Sequence, residues 1–433
     1  MPPAPLPVSD TARRTTDSPI SYFIQKAIET KGLISLAAGL VDESHFPTAE
    51  VAEAVTGMMA DPAAARVALQ YGSTQGLPEL RERVLNRVCE ADGIKPSDHR
   101  LGVNNVVLTT GSQQMLYLLG EVLFNPGDIV ICEAPSYFVY HGVLMSNGVR
   151  VLTVPMDDGG MNLDALEALL TKLDRTGELD RVRLIYTVDY FQNPTGLSLA
   201  TDRRPRLVEI ARQYSKKHRI LILEDAAYRE LRYTGEDRPS VKKFDDTNEY
   251  VIYTTTFSKP CAPGLKTGYT ILPSELVSPV CHLKGNHDFG SNNLSQHILN
   301  RLMASGAYQK HVETLRGVYR NKRDAMVQAM RTEFADWPAV KWTEADGGMY
   351  VWATFPDHIR TGPGSPLVER ALAEGVLYVP GEFGHVPDEN GQLRSNEARL
   401  SFGVCEPVQI MEGIRRLRRA CRGLESPAGK KVA

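Results

Sequence analysis

From about residue 104, short apolar runs alternate with stretches of helical periodicity, and this alternation restricts the fold more than any other feature of the chain. Strands are expected at 106–110, 129–132, 149–154, 182–186, 220–225 and 250–255, with 267–272 closing the series. Helices are expected between them at 111–124, 137–145, 163–173 and 202–218. Strands alternating with helices predict an α/β fold, with a mostly parallel sheet covered on both faces. Ligands of such sheets sit beyond the carboxyl ends of the strands.

On either side the pattern changes. Upstream, Ile20, Phe23, Ile24 and Ala27 have helical spacing, and Leu33-Ile-Ser-Leu-Ala-Ala-Gly39 reads as a short strand ending in a glycine turn. A helix follows at 47–59, then a polar loop at 69–76 and a helix through 88. Downstream, 294–333 is helical with a break near Gly306. Gly347-Gly-Met-Tyr-Val-Trp352 and Ala398-Arg-Leu-Ser-Phe402 read as strands of a smaller sheet, and 406–422 as a last amphipathic helix. The expected division is a flexible arm at 1–19, the first part of a small α+β domain at 20–49, a large domain at 50–300, the rest of the small domain at 301–423, and a loose tail at 424–433.

A net charge of -3 offers no electrostatic footprint for nucleic acid and no basic anchor for a membrane. No apolar run approaches the ~20 residues that span a bilayer. Residues 1–19 are rich in Pro, Ser and Thr and lack the apolar core of a secretory signal. Cys89, Cys132, Cys261, Cys281, Cys405 and Cys421 are scattered, with no CxxC pair, so neither a metal site nor a disulfide framework is expected. A reduced, cytoplasmic setting is the expectation.

Five features fall at the expected strand ends. Gly111-Ser112-Gln113 opens a helix, where free N–H groups and the helix dipole favour a phosphate. Tyr137 follows the strand ending near Glu133, and an aromatic ring there can stack on a planar ligand. Asn193, in Gln192-Asn-Pro-Thr-Gly196, can donate its amide to an oxygen. Asp225 ends an apolar strand, so its carboxylate needs a buried partner such as a protonated ring nitrogen, and Tyr228 can reach a phenolic oxygen from the same face. Last, Thr254-Thr-Thr-Phe-Ser-Lys-Pro-Cys-Ala-Pro-Gly-Leu-Lys-Thr-Gly-Tyr269 carries two lysines on a polar loop, and a desolvated lysine amine attacks carbonyls. Taken singly, each has an ordinary alternative: helix caps at Ser112 and Asp225, a core tyrosine, a capping loop, solvated lysines. Together they supply a phosphate cradle, a ring stack, an oxygen donor, a ring-nitrogen acceptor and a carbonyl-trapping amine, which no single ordinary role explains.

The same motifs, with Ser35-Leu-Ala-Ala-Gly-Leu40, Leu69-Gln-Tyr-Gly72, Glu133-Ala-Pro-Ser-Tyr137, Glu224-Asp-Ala-Ala-Tyr228, Thr256-Phe-Ser-Lys259, Val379-Pro-Gly381 and Arg399-Leu-Ser-Phe402, stand in a characteristic order. Over 20–423 the chain resembles the fold-type-I pyridoxal-phosphate aminotransferases of class I/II, and among them the 2-aminoadipate and kynurenine aminotransferase subgroup. The resemblance implies transfer of an amino group from an L-amino acid to a 2-oxo acid by a ping-pong mechanism, with Lys259 carrying the internal aldimine and moving the proton between substrate Cα and cofactor C4′. It implies that Asp225 pairs with the pyridine nitrogen, Asn193 and Tyr228 hold the ring oxygen, Tyr137 stacks on the ring, and Gly111, Ser112, Gln113 and Thr256 hold the phosphate. It further implies that Tyr71 reaches the phosphate of a neighbouring subunit in a homodimer. Arg399 would clamp the substrate carboxylate, a bidentate task suited to guanidinium, with Gly39 and Asn193 beside it.

Three positions depart from the relatives. Lys266 stands where they carry a phosphate-gripping arginine, keeping the charge and losing the planar fork. Asp189-Tyr190 replaces Pro-Ser ahead of Phe191-Gln-Asn193. Tyr22 stands roughly where an aminoadipate enzyme places an arginine for the distal carboxylate, so the expected substrate is not a long dicarboxylate but an aromatic, aliphatic or basic amino acid. The same cofactor in a lyase, cyclase or oxidase is the alternative, because one fold hosts many chemistries. A ligand-sensing module is a further alternative, against which stands the lack of a helix-turn-helix or basic stretch.

Overall fold

The computed structural model describes residues 6–15, 32–37, 39–388 and 390–425. The short strand β1 (Ile34–Ser35) precedes the central sheet. That sheet contains β2 (Val106–Thr109), β3 (Ile129–Ala134), β4 (Arg150–Asp157), β5 (Gly160–Met161), β6 (Val182–Thr187), β7 (Leu221–Asp225), β8 (Val251–Thr256) and β9 (Gly268–Ile271), in the order β2-β9-β8-β7-β6-β3-β4-β5. Five consecutive strands, from β8 to β4, are parallel. β7 and β8 are buried along their whole length, as strands covered on both faces must be. Side chains alternate between two apolar clusters: Leu184 and Tyr186 of β6 join one, Ile185 the other.

The last strand of the series does not lie at an edge. β9 inserts between β2 and β8, antiparallel to both. The link from β8 spans only 257–267, too short for a helical crossover, so the chain must return antiparallel. It turns through Pro263–Leu265 and then Lys266, whose φ of 45° is left-handed. Gly268 makes this return possible: a Cβ there would lie 2.7 Å from Ser112 N and from Thr255 O. β9 is thereby pressed against the start of helix Gly111–Leu123.

A smaller antiparallel sheet, ordered β10-β11-β14-β13, contains β10 (Lys341–Trp342), β11 (Tyr350–Thr354), β13 (Val379–Pro380) and β14 (Glu397–Ser401). β12 (Val376–Leu377) pairs with β1 in parallel. Gly306, with φ 80°, separates helices Asn293–Ala304 and Ala307–Glu333, as expected. Two helices within 50–300 were not anticipated. Pro62–Leu69 starts with Asp61 accepting from Ala63 N and Pro at its first position. Ser274–Asp288 runs through Pro279. Within the expected N-terminal arm, Ser9 caps a short helix, Asp10–Arg14, and Arg14 Nε donates to Ser146 O at 3.1 Å. The helical spacing at 20–27, and Tyr22 with it, lie outside the described residues.

Candidate active site

A cavity of about 250 Å³ opens where β2, β6, β7 and β8 end. Gly111, Ser112, Gln113, Tyr137, Asn193, Asp225, Tyr228, Thr256, Lys259 and Lys266 all line it, so ten of the expected residues, from all five features, meet at one place.

Asp225 ends β7 and is buried. Its carboxylate accepts from Tyr186 Oη at 3.1 Å and from Ala227 N at 3.3 Å. Burial outweighs those two hydrogen bonds and pushes the carboxyl up to about 7. Among the described residues it has no cationic partner, although an isolated buried carboxylate is costly. Lys259 Nζ donates to Gly39 O at 2.7 Å, and burial, with the charge of Arg399 adding, lowers its pKa. A lowered pKa leaves more of the amine neutral and nucleophilic.

Arg399, in the middle of β14, is 1% exposed and has no carboxylate partner among the described residues. Its Nη1 donates to Asn193 Oδ1 at 2.8 Å and its Nη2 to Ala37 O at 2.9 Å, while Nε donates to nothing among the described residues. The guanidinium lies 4.5 Å over the Tyr350 ring, and Tyr350 Oη meets Tyr228 Oη at 3.2 Å. Gly39 is tightly placed: a Cβ there would sit 2.9 Å from Tyr350 Oη. Arg399 and Gly39 thus stand behind the cavity, joined to it through Asn193 and Lys259.

The opposite end holds the N-terminus of helix Gly111–Leu123, where Gly111 has φ 70°. Thr256 Oγ1 bonds Ser258 Oγ at 3.0 Å. Gln114 turns away, accepting from Thr110 N and donating to Asp288 Oδ2 at 2.8 Å each. Lys266 is exposed, and its side chain has no hydrogen bond or ion pair among the described residues. Tyr71 is not at this cavity. It is 77% exposed and meets the exposed Phe289 ring edge-on at 5.6 Å.

The family model for aminotransferase class I and II matches residues 31–417. The chain is 38% identical over 394 residues to aromatic-amino-acid aminotransferase 1 of Thermococcus litoralis, covering 90% of this chain and 88% of that one. It is 35% identical to the 2-aminoadipate transaminase of Thermus thermophilus, covering 92% of each. A crystal structure of Pyrococcus horikoshii kynurenine aminotransferase superposes with a TM-score of 0.86 at 34% identity, over 95% of this chain and 96% of that one. The chain belongs to the class I and II aminotransferases. It is a pyridoxal-phosphate-dependent transaminase.

The aminotransferase's cavity suits that cofactor on its own chemistry. A buried carboxylate without a cation faces an amine of lowered pKa, and a helix N-terminus with hydroxyls and an unpaired lysine lies at the other end. Those are partners for a ring nitrogen, an aldehyde and a phosphate. Sequence reasoning missed Ser258, Tyr186 and Tyr350. Ser258 precedes Lys259 directly and was legible as a hydroxyl beside the amine. Tyr186 becomes visible only through the β6–β7 register, and Tyr350 only once the fold sets it between Arg399 and Tyr228. The Asp189-Tyr190 departure does not line the cavity. Asp189 is fully buried in an ion pair with Arg204, whose guanidinium also lies 4.4 Å over the Tyr190 ring.

Proposed function

We propose that this transaminase takes an amino acid without a distal carboxylate, aromatic or aliphatic, as its preferred amino donor. The observation that carries the reading is the inventory of unpaired cations. Among the described residues at the site they are Lys259, Lys266 and Arg399. One amine meets the cofactor aldehyde, one meets its phosphate, and Arg399 is left for the substrate α-carboxylate. No cation remains for a second one. The aromatic walls formed by Phe138 and Tyr350 around Arg399 favour an apolar side chain.

Pyridoxal phosphate, when bound, supplies an electron sink for the pair released when the substrate α-hydrogen is removed. Ser112, Gln113, Thr256, Ser258 and Lys266 hold its phosphate, Tyr137 covers its ring, and Asn193 and Tyr228 hold its ring oxygen. Asp225 keeps the ring nitrogen protonated. Lys259 is the covalent anchor and its Nζ takes the Cα proton. Arg399 orients the α-carboxylate, its Nε free for one of the two oxygens. Tyr71 serves from a second copy of the chain: with Val67, Leu69 and Phe289 it forms an exposed apolar patch that a homodimer covers. No described helix is long and apolar enough to cross a membrane, and the six cysteines are free thiols, in keeping with a cytoplasmic enzyme.

An amino-donor panel with 2-oxoglutarate and pyruvate as acceptors tests the substrate class. Aromatic or aliphatic donors are expected to lead; a panel headed by 2-aminoadipate would sink the reading. Light scattering tests the dimer, which a monomer carrying full activity would exclude.

A further inference from the structure

Asp189 follows β6, and Arg204 and Glu224 pack around it; all three side chains are fully buried. Alternation along β7 turns Glu224 to the face opposite that of Asp225. Arg204 pairs with Asp189 Oδ2 and donates to Asp189 O at 2.8 Å and to Leu199 O at 3.1 Å. One guanidinium therefore closes both ends of the turn that carries Asn193. Its Nη1 is also 3.9 Å from Glu224 Oε1.

The other oxygen of Asp189, Oδ1, is buried and receives no hydrogen bond among the described residues. The neighbouring acid is Glu224, whose carboxyl shares Arg204 Nη1 with Asp189. Glu224 accepts from Val241 N and Lys242 N at 2.8 Å each. Two carboxyl groups in buried contact cannot both ionise. A proton on Glu224 supplies the donor that Oδ1 lacks, and the hydroxyl oxygen can still accept. The surrounding charges ask for the same count. Arg229 is matched by Asp92, and Lys242 by Asp245, which leaves Arg204 one negative charge to balance. Glu133 of β3, Asp225 across the sheet, Tyr190 and Tyr253 are the other titratable groups that feel the charge of the pair.

We propose that Asp189 and Glu224 share a single proton in the working enzyme, and that this carboxyl pair is a positioning device tying the turn of Asn193 to the strand of Asp225. The positioning role rests on the proposed assignment of Asn193 and Asp225 to the ring oxygen and ring nitrogen of the cofactor. Those two groups address one rigid ring, so their separation must be held. The pair, with Arg204, holds it from the far face of the sheet without lining the cavity.

Infrared spectroscopy of the holoenzyme tests the proton. At about pH 9, acids such as Asp225 and Glu133, raised to about 7, have ionised. A deuterium-sensitive carbonyl band of a protonated carboxyl is expected to remain. Asp189→Asn should abolish it while preserving charge and geometry, because the amide donates to an ionised Glu224. Cofactor dissociation should then stay within about twofold of wild type, whereas Asp189→Ala, which cuts the tie, should weaken cofactor binding by at least about tenfold. A band absent from wild type, a band surviving in Asp189→Asn, or wild-type cofactor affinity in Asp189→Ala overturns the proposal. If Asp189→Ala does not fold, Asp189→Asn still decides it, since loss of cofactor binding in that charge-preserving variant contradicts the pair. The band reports the proton whatever Asn193 and Asp225 bind. Unchanged cofactor affinity in both Asn193→Ala and Asp225→Ala would defeat the site assignment instead, and the positioning role with it.

Discussion

Glu224 and Asp225 are neighbours on one strand, yet they belong to two regions that treat charge in opposite ways. On the cavity side stand Asp225, Lys259, Lys266 and Arg399, none of them in an ion pair with another described residue. On the far side Asp189–Arg204, Arg229–Asp92 and Lys242–Asp245 are all paired, most of them fully buried. Leaving a charge buried and unpaired costs several kcal/mol, and pairing recovers much of that. The unpaired set therefore marks where ligands complete the electrostatics, and the paired set marks scaffold. Burial alone does not separate them, for Arg399 and Arg204 are equally enclosed.

The sharpest way to break this contrast is to remove one group from each side. Lys259→Ala should lower the transamination rate by about 10³–10⁴-fold, the scale of a lost acid–base group, and should abolish the absorbance of the lysine-linked cofactor. Thermal stability of the cofactor-free protein should scarcely change, because Lys259 makes one hydrogen bond, to Gly39 O. An intact lysine-linked chromophore in Lys259→Ala would move the covalent role to Lys266. On the far side the consequence is reversed. Arg204→Met should destabilise the protein by roughly 3–5 kcal/mol, since it strands Asp189 in the core. Denaturant unfolding reads this directly. A loss below about 1 kcal/mol would mean that the pair is no scaffold.

The contrast was only half legible in the chain itself. Each cavity residue occupies the carboxyl end of a strand or the loop behind it, and strand ends can be located from apolar periodicity, so Asp225, Asn193 and Lys259 stood out. Asp189 stood out only as a departure. Its partner Arg204 lies fifteen residues on, on a helix, and Glu224 lies on the next strand, so their meeting depends on the β6–β7 register and on how helix Arg203–Tyr214 packs. β9 was placed correctly as a strand, but its position inside the sheet follows from the length of one turn, which periodicity does not encode. Tyr350 meets Arg399 and Tyr228 only in the folded chain and carries no local signal.

The unpaired state of Asp225 has its own signature in cofactor-free protein. Burial pushes its carboxyl up to about 7 when folded, against the ordinary aspartate value of 3.8 when unfolded. Between those values the folded chain keeps a proton that the unfolded chain has released, so stability falls as pH rises through this window and levels off above it. A tenfold change in proton affinity is about 1.4 kcal/mol, so the loss amounts to a few kcal/mol. Asp225→Asn should flatten the slope, leaving the share due to Glu133 and to the Asp189–Glu224 pair, and should be more stable than wild type at about pH 8. Identical pH–stability curves for the two proteins would show that Asp225 does not carry an unpaired charge. Cofactor should erase the difference in wild type, by pairing with the carboxylate.

The smallest effect is expected at Lys266, where the two regions differ least from bulk water. This cation is exposed and unpaired among the described residues, and it sits at the left-handed residue of the turn into β9. An exposed ammonium acts on a phosphate as a point charge, which salt screens over about 8–10 Å. A guanidinium at the same place would add two directed hydrogen bonds, which screening weakens less. Lys266→Arg should therefore tighten cofactor binding by roughly 0.5–1 kcal/mol, a few-fold in dissociation constant, and should make that constant less dependent on salt. The salt slope is the more telling half, because a tighter grip with an unchanged slope would place the gain elsewhere than at the phosphate. Equal affinities for both proteins at low and at high salt would show that Lys266, though unpaired, is not reserved for the cofactor, and that exposure rather than function explains its lack of a partner.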